Sequence, residues 1–406
     1  MNNNWKQVKL CEISKIIMGQ SPPSKYYNEQ SEGIPFFQGV TEFQEIFPKV
    51  KKFTTKITKL AKSGDILMSV RAPVGELNIL NIDCCIGRGL CAIKSEKNAR
   101  FIYYILKNYK KYIKKYSGGI TYESINKELI NNLEFFIPEN IAERNKITSI
   151  LSAYDDLIEN NNRRIEVLEE IAQAIYKEWF VHFRFPGYEK VKMVDSELGK
   201  IPEGWEAVRV GERFSTLLGG TPSRIKDEYW TGGNIPWINS GKVNELRVID
   251  ESEFITELGL RKSSTKMMPK RTTVVAITGA TLGQVSLLEI KVCANQSVVG
   301  IYDSEHLFDE YIYFKFCEII RSVISKSSGG AQQHINKDIV NSEKILTPTI
   351  NIIFEFNKII RPICNLIKNL LTKNKILKSK RDLLLLKLIS GEIDVSDLDI
   401  NTGDIK

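Results

Sequence analysis

The chain has 406 residues, of which 42% are apolar and 26% charged, a composition typical of a soluble globular protein with two or three domains. No apolar run approaches the ~20 residues that span a bilayer, and the first residues lack a secretory signal, which predicts a cytoplasmic protein. The net charge of +8 is uneven: residues 1–138 hold 21 Lys and Arg against 12 Asp and Glu, and residues 196–348 hold 18 against 19. A basic first part suits a phosphate backbone, but many solvated surfaces are equally basic.

The same motifs occur twice, in the same order. Trp5, Gly19 and Pro22 recur 200 residues later as Trp205, Gly219 and Pro222. Further pairs follow at slightly larger offsets: Ile34-Pro35-Phe36 with Ile235-Pro236-Trp237, Cys85 with Cys293, and Ile125-Asn126-Lys127 with Ile335-Asn336-Lys337. Because the offset drifts only as differences in loop length would make it drift, the sequence predicts an internal duplication.

Each copy opens with a region of short apolar runs and ends in a long stretch poor in helix-breaking residues. The apolar runs at 66–70 and 274–277 predict buried strands, and the patterns at 101–116 and 310–325 predict helices. The duplication and the Pro and Gly clusters predict four segments: a globular domain over 1–138, a helix with its connector over 139–195, a second globular domain over 196–348, and a helix with a tail over 349–406.

The two long stretches have heptad spacing, which is typical of a coiled coil. In the first, steps of three and four residues connect Ile147, Ile150, Tyr154, Leu157, Asn161, Arg164, Leu168, Ile171 and Ile175. In the second, they connect Phe356, Ile360, Ile363, Ile367, Leu370, Asn374, Leu377, Arg381, Leu384 and Leu388. We predict that the two helices pair antiparallel. The alternative is that each helix packs only on its own domain.

The predicted register places a polar layer near the middle of the pair. Leu168 is expected beside Leu370 and Ile171 beside Ile367, so that Arg164 meets Asn374, with Asn161 one turn away. Within the second helix, Pro362 is expected to kink the helix or to delay its start.

No motif for catalysis or for a metal is present in the sequence. Methyltransferases need a cofactor loop and an Asn/Asp-Pro-Pro-aromatic motif, and translocases need G-x-x-x-x-G-K-[ST]; none of these occurs. No two cysteines have Cys-x-x-Cys spacing, which argues against zinc. The adjacent carboxylates Asp155 and Asp156 are expected on a solvated helix face. Buried core positions are expected for the cysteines in apolar stretches: Cys84, Cys85, Cys91 and Cys293.

The chain resembles the DNA-specificity subunits of type I restriction–modification systems along almost its whole length. The stretches that carry the resemblance run from Gly64 to Gly75, over Ile86-Gly87-Arg88-Gly89, over Trp179-Phe180-Val181, from Gly199 to Trp205, and from Lys387 to Ile393. Each string alone is weak, but all of them occur in order within a duplicated chain. The resemblance implies an α+β fold: two pseudo-repeated α/β target-recognition domains, separated by two long antiparallel helices that form a coiled coil.

The resemblance also implies a function and partners. Each domain would read one half of an asymmetric, two-part site in double-stranded DNA, and the chain itself would catalyse nothing and bind no cofactor or metal. Two methyltransferase subunits would dock on the helices, and restriction–translocase subunits would join them. S-adenosylmethionine, ATP and Mg²⁺ are expected only on those partners. A stand-alone two-domain DNA-binding regulator is the alternative function.

Polar side chains in the loops that differ between the copies are the candidates for contacts with bases, because Gln, Asn, Arg and Thr suit base edges in the major groove. In the first copy these are Arg71, Arg88, Thr121 and Tyr122, and in the second copy Gln296, Gln332, Gln333 and His334. A basic run suits phosphates but equally a solvated surface: Lys49, Lys51, Lys52, Lys56 and Lys59. The residues predicted to form the helix pair and bind partners are Asn161, Arg164, Leu168, Ile171, Leu370, Asn374 and Leu377.

Overall fold

The computed structural model describes residues 4–95, 98–116, 124–326, 335–400 and 402. The chain divides into two compact units, the first formed by Met1–Asn161 with Asn374–Lys406 and the second by Asn162–Lys373. Both long helices therefore contribute residues to each unit. Within the described residues, none of the helices combines the length and apolar character needed to cross a membrane.

The first unit contains three sheets and a set of helices. Its strands are β1 (Trp5–Lys9), β2 (Lys15–Met18), β3 (Tyr27–Asn28), β4 (Ile34–Phe37), β5 (Phe53–Thr54), β6 (Leu60–Ala61), β7 (Ile66–Ser69), β8 (Leu77–Ile79), β9 (Cys84–Ile86), β10 (Leu90–Lys94) and β11 (Glu134–Pro138). Its helices are α1 (Leu10–Ile13), α2 (Ala99–Asn108), α3 (Lys110–Tyr116), α4 (Lys127–Asn131), the first part of α5 (Ile141–Phe180) and the last part of α10 (Ile350–Ile389). The strands pair in the orders β1-β11, β2-β10-β7-β8 and β3-β5-β4-β9-β6.

The second unit repeats this arrangement. Its strands are β12 (Met193–Ser196), β13 (Gly199–Pro202), β14 (Glu206–Arg209), β15 (Ser215–Leu218), β16 (Ile235–Ile238), β17 (Arg247–Val248), β18 (Glu253–Ile255), β19 (Met267–Met268), β20 (Thr273–Ala276), β21 (Val285–Leu288), β22 (Val292–Ala294), β23 (Val298–Tyr302) and β24 (Lys344–Thr347). Its helices are the last part of α5, α6 (Val210–Arg213), α7 (Glu257–Arg261), α8 (Asp309–Lys326), α9 (Lys337–Ser342) and the first part of α10 (Ile350–Ile389).

The sheet orders confirm the duplication. In the second unit they are β14-β24, β15-β23-β20-β21-β17 and β18-β16-β22-β19, with the hairpin β12-β13 in addition. The sheet β2-β10-β7-β8 thus has its counterpart in β15-β23-β20-β21, and the parallel pair β4-β9 has its counterpart in β16-β22. The strands predicted at 66–70 and 274–277 are β7 and β20, and every residue of both is buried.

The helix predicted over 101–116 is divided in the structure. Tyr109, whose ring packs edge-to-face on Phe135 at 5.0 Å, stands between α2 and α3. Its counterpart in the second unit, α8, is a single helix of 18 residues.

The long helices α5 and α10 each have 40 residues. Since α10 begins at Ile350 and continues through Pro362, the expected delay of its start is wrong.

Within each unit, segments of α5 and α10 pack together, running in opposite directions. In the first unit, Asn161 pairs with Asn374 and Asp155 with Arg381. In the second unit, Ile165 shares an apolar cluster with Ile367 and Leu370, while the rings of Trp179 and Phe356 lie 5.8 Å apart. Higher numbers on one helix therefore meet lower numbers on the other, which is antiparallel pairing.

The predicted register was wrong by about one helical turn. Asn374 meets Asn161 rather than Arg164, and Arg164 is exposed. Ile171 is 44% exposed and so does not face the partner helix, while Leu168 and Leu377 are half-buried and Leu370 is buried. The buried positions are Ile158, Ile165 and Ala172, each one residue beyond the predicted Leu157, Arg164 and Ile171. Steps of three and four residues fit either set, and the apolar side chains of the second set fill the interface.

The expected solvated face at Asp155 was also wrong. Asp155 is buried and accepts hydrogen bonds from the Tyr104 hydroxyl (2.6 Å) and from Arg381 (2.7 Å). Only Asp156 is exposed, where it pairs with Arg100 at 2.9 Å.

Candidate nucleic-acid interface

Three strands and one turn of the first unit come together at one point. Backbone hydrogen bonds join the ends of β2, β4 and β7 to the turn that leads from β9 into β10 and to the first residue of β10. These bonds are Gly19 N to Leu90 O (2.9 Å), Gly87 N to Phe37 O (2.8 Å) and Val70 N to Gly89 O (2.9 Å). Ile125 N also donates to Val70 O at 3.1 Å, so the chain that follows residue 124 returns to the same point. We call this convergence the first loop cluster.

Two glycines make this close approach geometrically feasible. A Cβ on Gly19 would lie 2.1 Å from the carbonyl oxygen of Gly87, and one on Gly89 would lie 2.4 Å from that of Gln38. Both distances are far below van der Waals contact, so any side chain at either position would force the loops apart. The tight backbone leaves side chains from neighbouring positions at the surface: Gln20, Gln38, Arg71 and Arg88 are all exposed.

The second unit builds an equivalent second loop cluster with the same hydrogen bonds. Gly219 N donates to Val298 O (3.0 Å), Asn295 N to Ile238 O (3.0 Å) and Ile277 N to Ser297 O (2.9 Å). Ile335 N donates to Ile277 O at 3.1 Å, as Ile125 does to Val70 in the first unit. The backbone hydrogen bonds of the two clusters therefore correspond, although Ser297 stands where the first cluster has Gly89, and the side chains that the clusters expose differ.

Three of the predicted base-contacting residues lie on these clusters. Arg71 forms a backbone bridge with Ser124, and the Arg88 backbone N–H donates to the Ser21 hydroxyl at 3.2 Å. Gln296, the counterpart of Arg88 in the repeat, is exposed and accepts a hydrogen bond from the Thr221 hydroxyl. The other predicted residues lie outside the described residues: Thr121, Tyr122, Gln332, Gln333 and His334.

The sequence analysis missed Gln38 and Asn239. Each directly follows the strand of the repeated Ile-Pro-aromatic motif, β4 or β16, and each is exposed at its loop cluster. The signal was present, because an exposed polar residue comes after a buried strand at the same position of both copies. The basic run is also exposed, which fits phosphate contact and a solvated surface equally: Lys49, Lys51, Lys52, Lys56 and Lys59.

The four cysteines predicted to be buried are buried. Burial raises the pKa of the Cys91 thiol to about 12 and that of Cys293 to about 11, so neither is a thiolate near neutral pH. Among the residues that the structure describes, no group of three His, Cys, Asp or Glu side chains is placed to hold a metal ion.

The long helices expose apolar side chains at matching positions of the two units. Leu157 and Ile376 in the first unit are 36% and 51% exposed, and Val167 and Leu366 in the second are 53% and 38% exposed. Leu157 is equivalent to Leu366, and Val167 to Ile376, with 209 residues between the members of each pair. Val167 and Leu366 line a shallow groove together with Arg163, Arg164 and Leu168. Exposed apolar groups at equivalent places are typical of binding surfaces.

Two similar domains, each with one polar loop cluster and one helix-pair segment, define the class of this chain: a duplicated binding protein. The model of a protein family described as "type I restriction modification DNA specificity domain" matches the sequence twice, over residues 2–170 and 202–384. The chain belongs to that family and carries two copies of its domain.

Relatives with curated descriptions match over nearly the full length. The specificity subunit of the MjaIX type I restriction enzyme from Methanocaldococcus jannaschii is 26% identical, with 97% of this chain and 95% of the relative covered. The HindI specificity subunit from Haemophilus influenzae is 24% identical, with coverage of 96% and 100%. The crystal structure of a type I restriction–modification S subunit from M. genitalium has the same fold, with a TM-score of 0.61, 17% identity, and coverage of 96% and 97%.

Proposed function

We propose that this chain is the specificity subunit of a type I restriction–modification complex. Each domain reads one half of an asymmetric, two-part site in double-stranded DNA, and the bound chain directs partner subunits to methylate adenine or to cleave the DNA. The observation that carries the proposal is the pair of loop clusters, which share one backbone scaffold but expose different side chains. Two loop clusters with corresponding backbones but different exposed polar side chains suit two different half-sites.

The chain is non-catalytic, and chemistry belongs to its partners. S-adenosylmethionine, ATP and Mg²⁺ are bound by methyltransferase and restriction–translocase subunits. Each helix-pair segment exposes two apolar side chains, Leu157 and Ile376 in the first unit and Val167 and Leu366 in the second, which supports the docking of two methyltransferase subunits, one on each segment.

Mapping methylated adenines across the host genome, with and without this gene, tests the proposal. Deletion should abolish methylation at one two-part motif. Replacing residues 1–138 with the matching domain of a relative should change one half of that motif and leave the other half intact. A change in both halves, or in neither, contradicts the proposal. Tight sequence-specific DNA binding by the purified chain, with no change in methylation, would instead favour the regulator.

A further inference from the structure

In the first unit, a loop of the globular domain contacts the helix pair through an acidic side chain. Glu45, in the segment that follows β4, pairs with Lys378 at 2.7 Å and with Arg381 at 2.9 Å, both on α10. Arg381 also pairs with the buried Asp155 of α5 at 2.7 Å. Burial alone would raise the pKa of Glu45, but the two cations outweigh it and hold the pKa below its usual value. The loop is thus negative and the facing helix surface contributes positive charge.

In the second unit, the contact has the opposite polarity. Arg247, the first residue of β17, has a fully buried side chain and pairs with Glu169 of α5 at 3.1 Å. The Tyr313 hydroxyl donates to the same carboxylate at 3.0 Å, and the guanidinium of Arg247 lies 4.1 Å from the centre of the Tyr313 ring. Here the globular domain contributes the positive charge, from β17, and the facing helix surface is negative.

The two helix positions are equivalent in the duplication. Buried positions of α5 recur on α10 at a constant distance of 209 residues: Ile147 with Phe356, Leu151 with Ile360, Ile158 with Ile367, Tyr176 with Leu385, and Trp179 with Leu388. The same distance relates Glu169 to Lys378. One structural position of the helix pair therefore holds an anion in one copy and a cation in the other. The side chain of the globular domain that meets this position has the opposite sign in each copy, Glu45 in a loop of the first unit and Arg247 in β17 of the second.

We propose that this reversed polarity matches each recognition domain to its own helix pair. The first helix pair accepts a domain that presents an acidic side chain, as Glu45 does, and the second accepts one that presents a basic side chain, as Arg247 does. A domain in the wrong place brings like charges together, and an uncompensated buried charge such as that of Arg247 is strongly destabilising. The two recognition domains of this chain are consequently not interchangeable unless these charges are exchanged with them.

The inference concerns assembly of the chain and stands independently of what the loop clusters bind. It is tested with a full-length chimera in which residues 205–348 also replace residues 5–138. The copied Arg247 then faces Lys378 and Arg381. In this chimera, Lys378→Glu restores the anion found at the equivalent position 169 and is expected to raise the thermal unfolding midpoint. In the natural chain, the same substitution removes one of the two cations that pair with Glu45 and is expected to lower the midpoint.

Lys380→Glu, at an exposed lysine of the same helix, is the matched control for net charge and should shift both midpoints equally. A Lys378→Glu effect of the same sign in both chains overturns the proposal.

If the chimera does not fold, a second series of variants tests the same proposal in the natural chain. In the natural chain, Glu45→Lys should unfold at a lower temperature than Glu45→Gln, and adding Lys378→Glu to Glu45→Lys should recover stability. Equal midpoints for Glu45→Lys and Glu45→Gln, or no recovery, would also overturn it.

Discussion

The Asn161 side-chain amide donates a 2.7 Å hydrogen bond to the amide oxygen of Asn374, joining the two long helices through a buried polar pair. The equivalent positions of the repeat hold apolar residues, Leu370 and Ile165, both buried. The duplication therefore does not require a polar layer here. A buried asparagine pair of this kind costs stability but fixes the register of paired helices, because any slip leaves each amide against apolar side chains.

Replacing one of the two asparagines should cost more than replacing both. Asn161→Leu leaves the Asn374 amide buried without this partner, which costs about 1–3 kcal/mol. The double variant Asn161→Leu with Asn374→Leu matches the apolar layer of the repeat and should recover most of that loss. Thermal unfolding of the two single variants and the double variant measures the coupling. Purely additive losses would show that the pair does not act as a unit.

The sequence predicts the duplication, the strands and the long helices, because Gly, Pro and apolar periodicity are local signals. Local sequence signals do not determine which face of α5 packs against α10. Leu157, Arg164 and Ile171 are followed by Ile158, Ile165 and Ala172, and spacing alone fits both series. The position of Gln38 after a repeated strand motif can be read from the sequence, but its approach to Gly89 cannot, because that approach depends on strands far apart in sequence converging.

Glu45 should make the stability of the first unit sensitive to acid. Its pKa lies below the usual value of 4.5 in the folded chain, so its stabilising contribution is fully present above that value and is lost as the pH falls through the lowered pKa. Glu45→Gln should therefore lower the unfolding midpoint at pH 7, and the difference from the natural chain should shrink below about pH 4. A difference that stays constant with pH would show that the charge of Glu45 is not what stabilises the contact.

The isolated chain should not bind S-adenosylmethionine, since the sequence holds no cofactor loop. Calorimetric titration of the purified chain is expected to show no binding heat, whereas the chain reconstituted with its methyltransferase subunits should bind the cofactor. Stoichiometric binding to the chain alone would place part of the catalytic machinery here.

Placing a charged side chain on one exposed apolar surface should prevent one methyltransferase subunit from binding. Val167→Asp introduces a carboxylate into the surface that it shares with Leu366 and should reduce the assembled complex from two methyltransferase subunits to one, because burying an unpaired charge is costly. Ile376→Asp, at the equivalent position, should do the same for the other subunit. Native mass spectrometry gives the subunit count. Ile82→Asp, at an exposed apolar residue in the connection between β8 and β9, is the control and should leave the count at two.

Gln38 and Asn239 should each affect one half of the recognised site. Both side chains are exposed at the loop clusters, and the amide of Asn or Gln offers a donor and an acceptor that match the edge of adenine in the major groove. Gln38→Ala should therefore weaken discrimination at one position of one half-site by about 1–3 kcal/mol, and Asn239→Ala should act only on the other half. Gln30→Ala, at an exposed glutamine of the first unit outside the cluster, serves as the control. The measurement is methylation of a randomised DNA library by the reconstituted complex, read base by base. Uniformly weaker methylation at every sequence would instead assign these residues to phosphates, because backbone contacts carry no direct information about sequence.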